Sequence, residues 1–132
     1  MKIQPCEQVV SAPVDMPGAQ ACQVRWLIGQ PDGAPNFAMR QFEVQPGGYT
    51  PKHSHPYEHE VYVLEGSGTV LEGDVEHSLA AGDCVYVAPD EVHQFRNTGP
   101  TPLKFLCMVP HTAQSGAPRM AAECDVPRRA PS

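Results

Sequence analysis

A chain of 132 residues with 41% apolar composition is long enough for one domain with one core and too apolar for a disordered protein. The net charge of −6 comes with no Lys/Arg cluster able to track phosphates, which argues against a nucleic-acid partner. No apolar run approaches the roughly 18–20 residues of a membrane span, and MKIQPCEQVV lacks the apolar core of a signal peptide, so a cytoplasmic protein is expected.

Fifteen Pro and 11 Gly without a collagen period suit many short strands joined by turns, not a helical bundle. The five cysteines are an odd number without CxxC spacing, so reduced thiols are expected rather than a disulfide framework. Residues 1–35 read as an extended N-terminal arm and first strand. The arm carries Pro5, Pro13 and Pro17 and is expected to serve in edge pairing or a dimer contact. The strand is CQVRWLIGQ at 22–30, with Trp26 as a packing residue, and PDGAP at 31–35 is a turn cluster.

A barrel core is expected over 36–110. In NFAMRQFEVQ the period of two places Arg40 on the face of Phe42 and Val44, so Arg40 is either a charge near the interior or a strand-end residue reaching solvent. Pro46-Gly47-Gly48 reads as a turn, followed by a strand holding His53 and His55 and a turn at Pro56-Tyr57. HEVYVLE at 59–65 is the next strand, broken by Gly66-Ser67-Gly68. Gly73-Asp74 is a hairpin signal between TVLEG and VEHSL. CVYVA at 84–88, VHQFRN at 92–97 and LKFLCMV at 103–109 follow, separated by turn clusters. Cys84 is expected as a small core residue. Strands at this spacing indicate an all-β sandwich or barrel. Residues 111–132 read as a loose tail with a weakly signalled helix near 116–123.

The chemistry concentrates in GGYTPKHSHPYEHEVYVLEG, where His53, His55 and His59 are spaced His-x-His-x-x-x-His. Residues i and i+2 of a strand share a face, so His53 and His55 project together. His59 opens the next antiparallel strand and can return beside them, and His93 heads a later one. Four imidazoles converging on one divalent ion, at about 2.0–2.2 Å, explain this cluster better than scattered core histidines do. His77 and His111 read as ordinary histidines. Phe95 and Phe105 are expected to form an apolar wall at the ion, with Cys107 facing the same way as Phe105. Thr50 and Val61 are further candidate pocket residues, and Tyr57 and Glu58 are expected at the rim.

These stretches resemble the two motifs of the cupin superfamily. Gly47, His53, His55 and Gly66 match G-x5-H-x-H-x(3,4)-E-x6-G, with His59 where that motif usually has Glu. Gly82, His93 and Asn97 match G-x5-P-x-G-x2-H-x3-N, with Ala88 and Asp90 at the usual Pro and Gly positions. The resemblance implies a single-domain jelly-roll β-barrel of about six to eight core strands. The closer likeness is to small cupins with an all-histidine manganese site. Imidazole softness alone favours Zn, Cu, Fe or Ni, while the resemblance puts Mn first and Fe next.

Three functions follow as expectations. The first is oxidative, a dioxygenase or oxidase acting on a small organic substrate, such as alkene or C–C cleavage, with dioxygen at the ion. The second is a non-redox isomerase or lyase of a sugar acid, with Arg40 holding the carboxylate. The third is a binding module without turnover. A homodimer is expected, its N-terminal arm packing on the partner.

Overall fold

The structure is a computed structural model and describes residues 1–111. The expected tail helix near 116–123 lies outside the described residues. Among the described residues nine strands run in chain order: β1 Ala12–Pro13, β2 Gln20–Ile28, β3 Phe37–Tyr49, β4 His59–Glu65, β5 Ser67–Glu72, β6 Val75–Ala80, β7 Cys84–Val87, β8 His93–Arg96 and β9 Leu103–Pro110. Every pairing between them is antiparallel.

Along the sheet the order is β6-β5-β8-β3-β9-β4-β7, with β2 also on β3 and β1 on β2. β3 is the organiser. Its first part pairs with β9 on one side and β2 on the other, and its last residue, Tyr49, pairs with Arg96 of β8. The sheet therefore curls into two facing halves, the jelly-roll arrangement expected of this all-β chain.

Alternation decides which side chains fill the interior. In β4, His59, Val61 and Val63 are buried while Glu60, Tyr62 and Leu64 are exposed. In β9, Leu103, Phe105, Cys107 and Val109 are buried. Register sets Val61 against Cys107 and Val63 against Phe105, so each inward row of one strand packs beside that of the next.

Pro46-Gly47-Gly48 is not a turn but a bulge inside β3. Between the pairs Cys22↔Val44 and Gln20↔Tyr49, β3 uses more residues than β2, and Gly47 absorbs the bend at φ +81°. Gly66, at φ +88°, ends β4 where a Cβ would come within 2.4 Å of the Pro102 carbonyl oxygen. The Gly73-Asp74 hairpin forms as expected, with Glu72 opposite Val75.

Two further expectations are corrected. The first histidine segment is not a strand: residues 50–58 are irregular, and His53 makes one isolated bridge with His93. Cys84 is exposed, because its side of β7 faces away from the core, beside Tyr62 of β4. The arm takes the edge-pairing role within its own chain, β1 lying on β2. Nη1 of Arg25 donates to the carbonyls of Cys6, Glu7 and Val9, tying the arm across the strand.

Candidate metal centre

Three pieces of chain deliver the four histidines. His93 opens β8 and exchanges backbone hydrogen bonds with His53 (N···O 3.0 and 3.2 Å). His55 follows two residues later and is 1% exposed. The Asp90 amide donates to the His55 carbonyl at 2.7 Å, so the loop before β8 holds the His55 backbone. Asp90 sits at φ +67°, the left-handed backbone that the cupin motif normally gives to glycine. His59 heads β4, opposite Val87.

One ligand nitrogen from each ring falls within 4.8 Å of all the others, and Nε2 of His55 and Nε2 of His59 stand 2.7 Å apart. Donors about 2.0–2.2 Å from one ion have mutual spacings of that order. The outward nitrogens carry matching partners. Nδ1 of His55 faces the Tyr57 carbonyl at 2.9 Å and Nδ1 of His93 faces the Glu91 carbonyl at 2.9 Å. A carbonyl only accepts, so both rings keep their proton on Nδ1 and offer the Nε2 lone pair inward. The outward Nδ1 of His59 has Cys107 Sγ at 3.2 Å and Nη2 of Arg40 at 3.4 Å. Arg40 only donates, so Cys107 is the one of the two able to accept from it.

Burial keeps the rings neutral. It pushes His55 down to about 3 and His93 to about 4, and it carries His53 and His59 well below the usual imidazole range. Neighbouring rings and the Arg40 guanidinium add to the shift at His53 and His59. Neutral imidazole is the metal-binding form, so the donor set fits one divalent ion. The four histidines could hold that ion.

A cavity of ≈ 50 Å³ opens beside them. Arg40, Thr50, Phe95, Phe105 and Cys107 all line it, as do His53, His59 and His93. The rings of Phe95 and Phe105 stack at 4.7 Å, and Phe42 stacks on Phe105 at 5.2 Å, which makes one wall aromatic. The hydroxyl of Thr50 accepts from the Phe95 amide at 2.9 Å, tying the histidine segment to β8. Arg40 is 6% exposed, its guanidinium 4.9 Å from the Phe42 ring centre and 5.3 Å from that of Trp26.

Val61 is corrected: it is buried one step below His59, between Val85 and Cys107, and does not line the cavity. Tyr57 is corrected too. It is buried and stacks on His55 at 3.9 Å rather than standing at the rim. Glu60 points outward, and Glu58 is half-buried. His77 is exposed and pairs with Glu72 at 2.8 Å, while His111 contacts the Ala34 carbonyl. Sequence reasoning missed Val14 and Met16, which come from the arm to line the cavity. No periodicity or motif marks them.

A family model described as the cupin domain matches residues 40–109. Among curated proteins, a 1-methylthio-D-xylulose 5-phosphate methylsulfurylase of Rhodospirillum rubrum is 35% identical over 88 residues, which is 67% of this chain and 55% of that one. Protein SchB of Streptomyces halstedii is 41% identical over 68 residues, 51% of this chain and 49% of that one. The chain thus spans about half the length of the curated relatives it matches. Among solved structures, the polyketide cyclase RemF from Streptomyces resistomycificus superposes with a TM-score of 0.79 at 37% identity, covering 83% of this chain and 79% of that one. With more than half of its length under the family model and a four-histidine cluster inside a jelly-roll barrel, the chain belongs to the cupin family.

Proposed function

We propose that this chain is a cytoplasmic metal-dependent enzyme of non-redox type, acting on a carbonyl of a small organic substrate. The observation that carries the reading is the donor set: four neutral imidazoles, with no Asp or Glu among the residues lining the cavity. When bound there, a divalent ion keeps its full charge and supplies Lewis acidity toward a carbonyl or enol oxygen. Manganese is the ion proposed first, then iron, with zinc, nickel and copper as alternatives.

The chain's own groups do the rest. Carbonyls of Tyr57 and Glu91 orient two of the rings. Phe42, Phe95 and Phe105 keep water from the reacting carbon. The cavity of ≈ 50 Å³ takes a head group rather than a whole large substrate. Likeness to a polyketide cyclase over most of both chains supports a substrate carrying ketones.

Linear poly-β-ketones and β-keto acids, followed by NMR in air and under strict anaerobiosis, test the reading. Cyclised or isomerised product is expected in both atmospheres and should vanish in His59→Ala. Oxygen uptake matching product would instead bring forward the oxidative reading, which the phenylalanine wall beside an open ligand set supports. Elemental analysis of untagged protein beside His59→Ala tests the ion: a near-stoichiometric metal lost in the variant is expected. The homodimer is part of the proposal, supported by exposed Tyr62 and Tyr86 on the sheet's outer face. A monomer by light scattering would remove it.

A further inference from the structure

Arg40 poses a charge problem that the barrel does not solve. Arg40 is 6% exposed, and no ion pair to Asp or Glu reaches its guanidinium among the described residues. Its Nε is buried with no hydrogen-bond partner. Nη2 spends its contacts on Cys107 Sγ at 3.0 Å and on His59 Nδ1 at 3.4 Å, both neutral groups. The rings of Trp26 and Phe42 give the cation faces to lie against but no opposite charge. Burying a cation without an anion is costly, and proteins retain such a group where something else supplies the charge.

The cavity compounds the imbalance. Arg40 lines it together with three of the four histidines, and the other lining residues, Thr50 and Cys107 among them, carry no acidic group. Taking the four rings as the ligands of one divalent ion, the site holds two units of charge from the ion and one from Arg40, with no side-chain anion to offset either. A ligand that brings negative charge enters a field already arranged for it. A neutral one of the same shape leaves both cations buried and unpaired.

We propose that the substrate of this site is an anion, a carboxylate or enolate with a second oxygen nearby, bound between the four-histidine centre and Arg40. This rests on the metal-site reading and adds the charge class of the ligand to it. Arg40 is a binding residue in this account, and the rings of Trp26 and Phe42 pack against its side chain.

Glycolate and its neutral amide, glycolamide, are suitable probes, because both fit a small cavity and differ in charge. Calorimetric titration uses protein loaded with manganese, as wild type, Arg40→Met and Arg40→Lys. Metal content and melting temperature are measured for each. Trp26 is the sole tryptophan, and its ring lies 5.3 Å from the Arg40 guanidinium, so its fluorescence reports the same event independently of turnover.

Glycolate is expected to bind wild type and Arg40→Lys, with at least a tenfold weaker Kd in Arg40→Met and loss of the fluorescence change. Glycolamide is expected to bind weakly to all three. Glycolate binding Arg40→Met as tightly as wild type, at equal metal content, would overturn the proposal. So would glycolamide matching glycolate in wild type, a comparison that needs no variant to fold. Arg40-dependent glycolate binding without turnover of any carbonyl substrate would sink the proposed chemistry and leave this inference standing. Ketone turnover in Arg40→Met at unchanged KM would do the reverse.

Discussion

Acidification should unfold the metal-free protein far more readily than its carboxylates alone would require. An unfolded histidine takes a proton near pH 6.5, whereas folded His55 waits until about 3 and His93 until about 4. His53 and His59 are held well below the ordinary value by the same burial. Between these limits the unfolded chain binds more protons than the folded one, so stability falls as pH falls. The contribution is intact above about 6.5 and is lost progressively toward 4 and below. Going from about pH 7.5 to 5.5, His55 and His93 together cost about 3 kcal/mol by linkage, and His53 and His59 act in the same direction. That is a large share of the 5–15 kcal/mol typical of a domain. With a urea slope of about 2 kcal/mol/M, the midpoint should drop by at least roughly 1.5 M. Chelator-treated protein, followed by Trp26 fluorescence and circular dichroism at the two pH values, gives the answer. A midpoint that moves by less than about 0.5 M would refute the reasoning, because the rings would then take up protons while folded.

Other expectations concern the scaffold. Phe105→Ala removes a ring that is 1% exposed and stacked on both Phe42 and Phe95, and should cost about 3–5 kcal/mol in urea unfolding. Asn97→Ala leaves the carbonyls of Val44 and Thr101 without the Nδ2 donor that serves each at 2.8 Å. It also removes the acceptor for the Gly99 amide, and a loss of about 2–3 kcal/mol is expected by the same measurement. Asp90→Gly relieves a left-handed backbone at φ +67° and should raise stability by up to about 1 kcal/mol. A melting temperature that falls instead would mean the Asp90 side chain matters to the loop.

Much of the site was legible because strand parity is a covalent property. His53 and His55 converge as expected, though their segment is irregular and the His53–His93 bridge and the Asp90 amide on the His55 carbonyl hold them there. Parity put Arg40 on one face with Val44, and Cys107 with Phe105, and burial shows both faces to be interior. The motif spacings around Gly66 and His93 marked where strands end and begin. The bulge at Pro46-Gly47-Gly48 was misread because the same residues that close a turn also let a strand bend and continue, and only the pairing partner decides which.

What parity cannot say is which side is covered and what meets across it. Cys84 and Tyr57 both lie in chain that allows either reading. One is exposed because its face of β7 points away from the core, and the other is buried because His55 offers it a ring to stack on. Val14 and Met16 reach the cavity because Arg25 and β2 tie down the arm, contacts between segments that share no pattern. Arg40, His59 and Cys107 are brought together by two registers, Arg40↔Cys107 and Val61↔Cys107, on strands far apart in the chain. The sequence by itself determined most of the strands, which of their residues share a face and the histidine set, because those follow from local geometry. Only the tertiary structure decided register, coverage and the unbalanced charge at Arg40, because these depend on how distant strands pack.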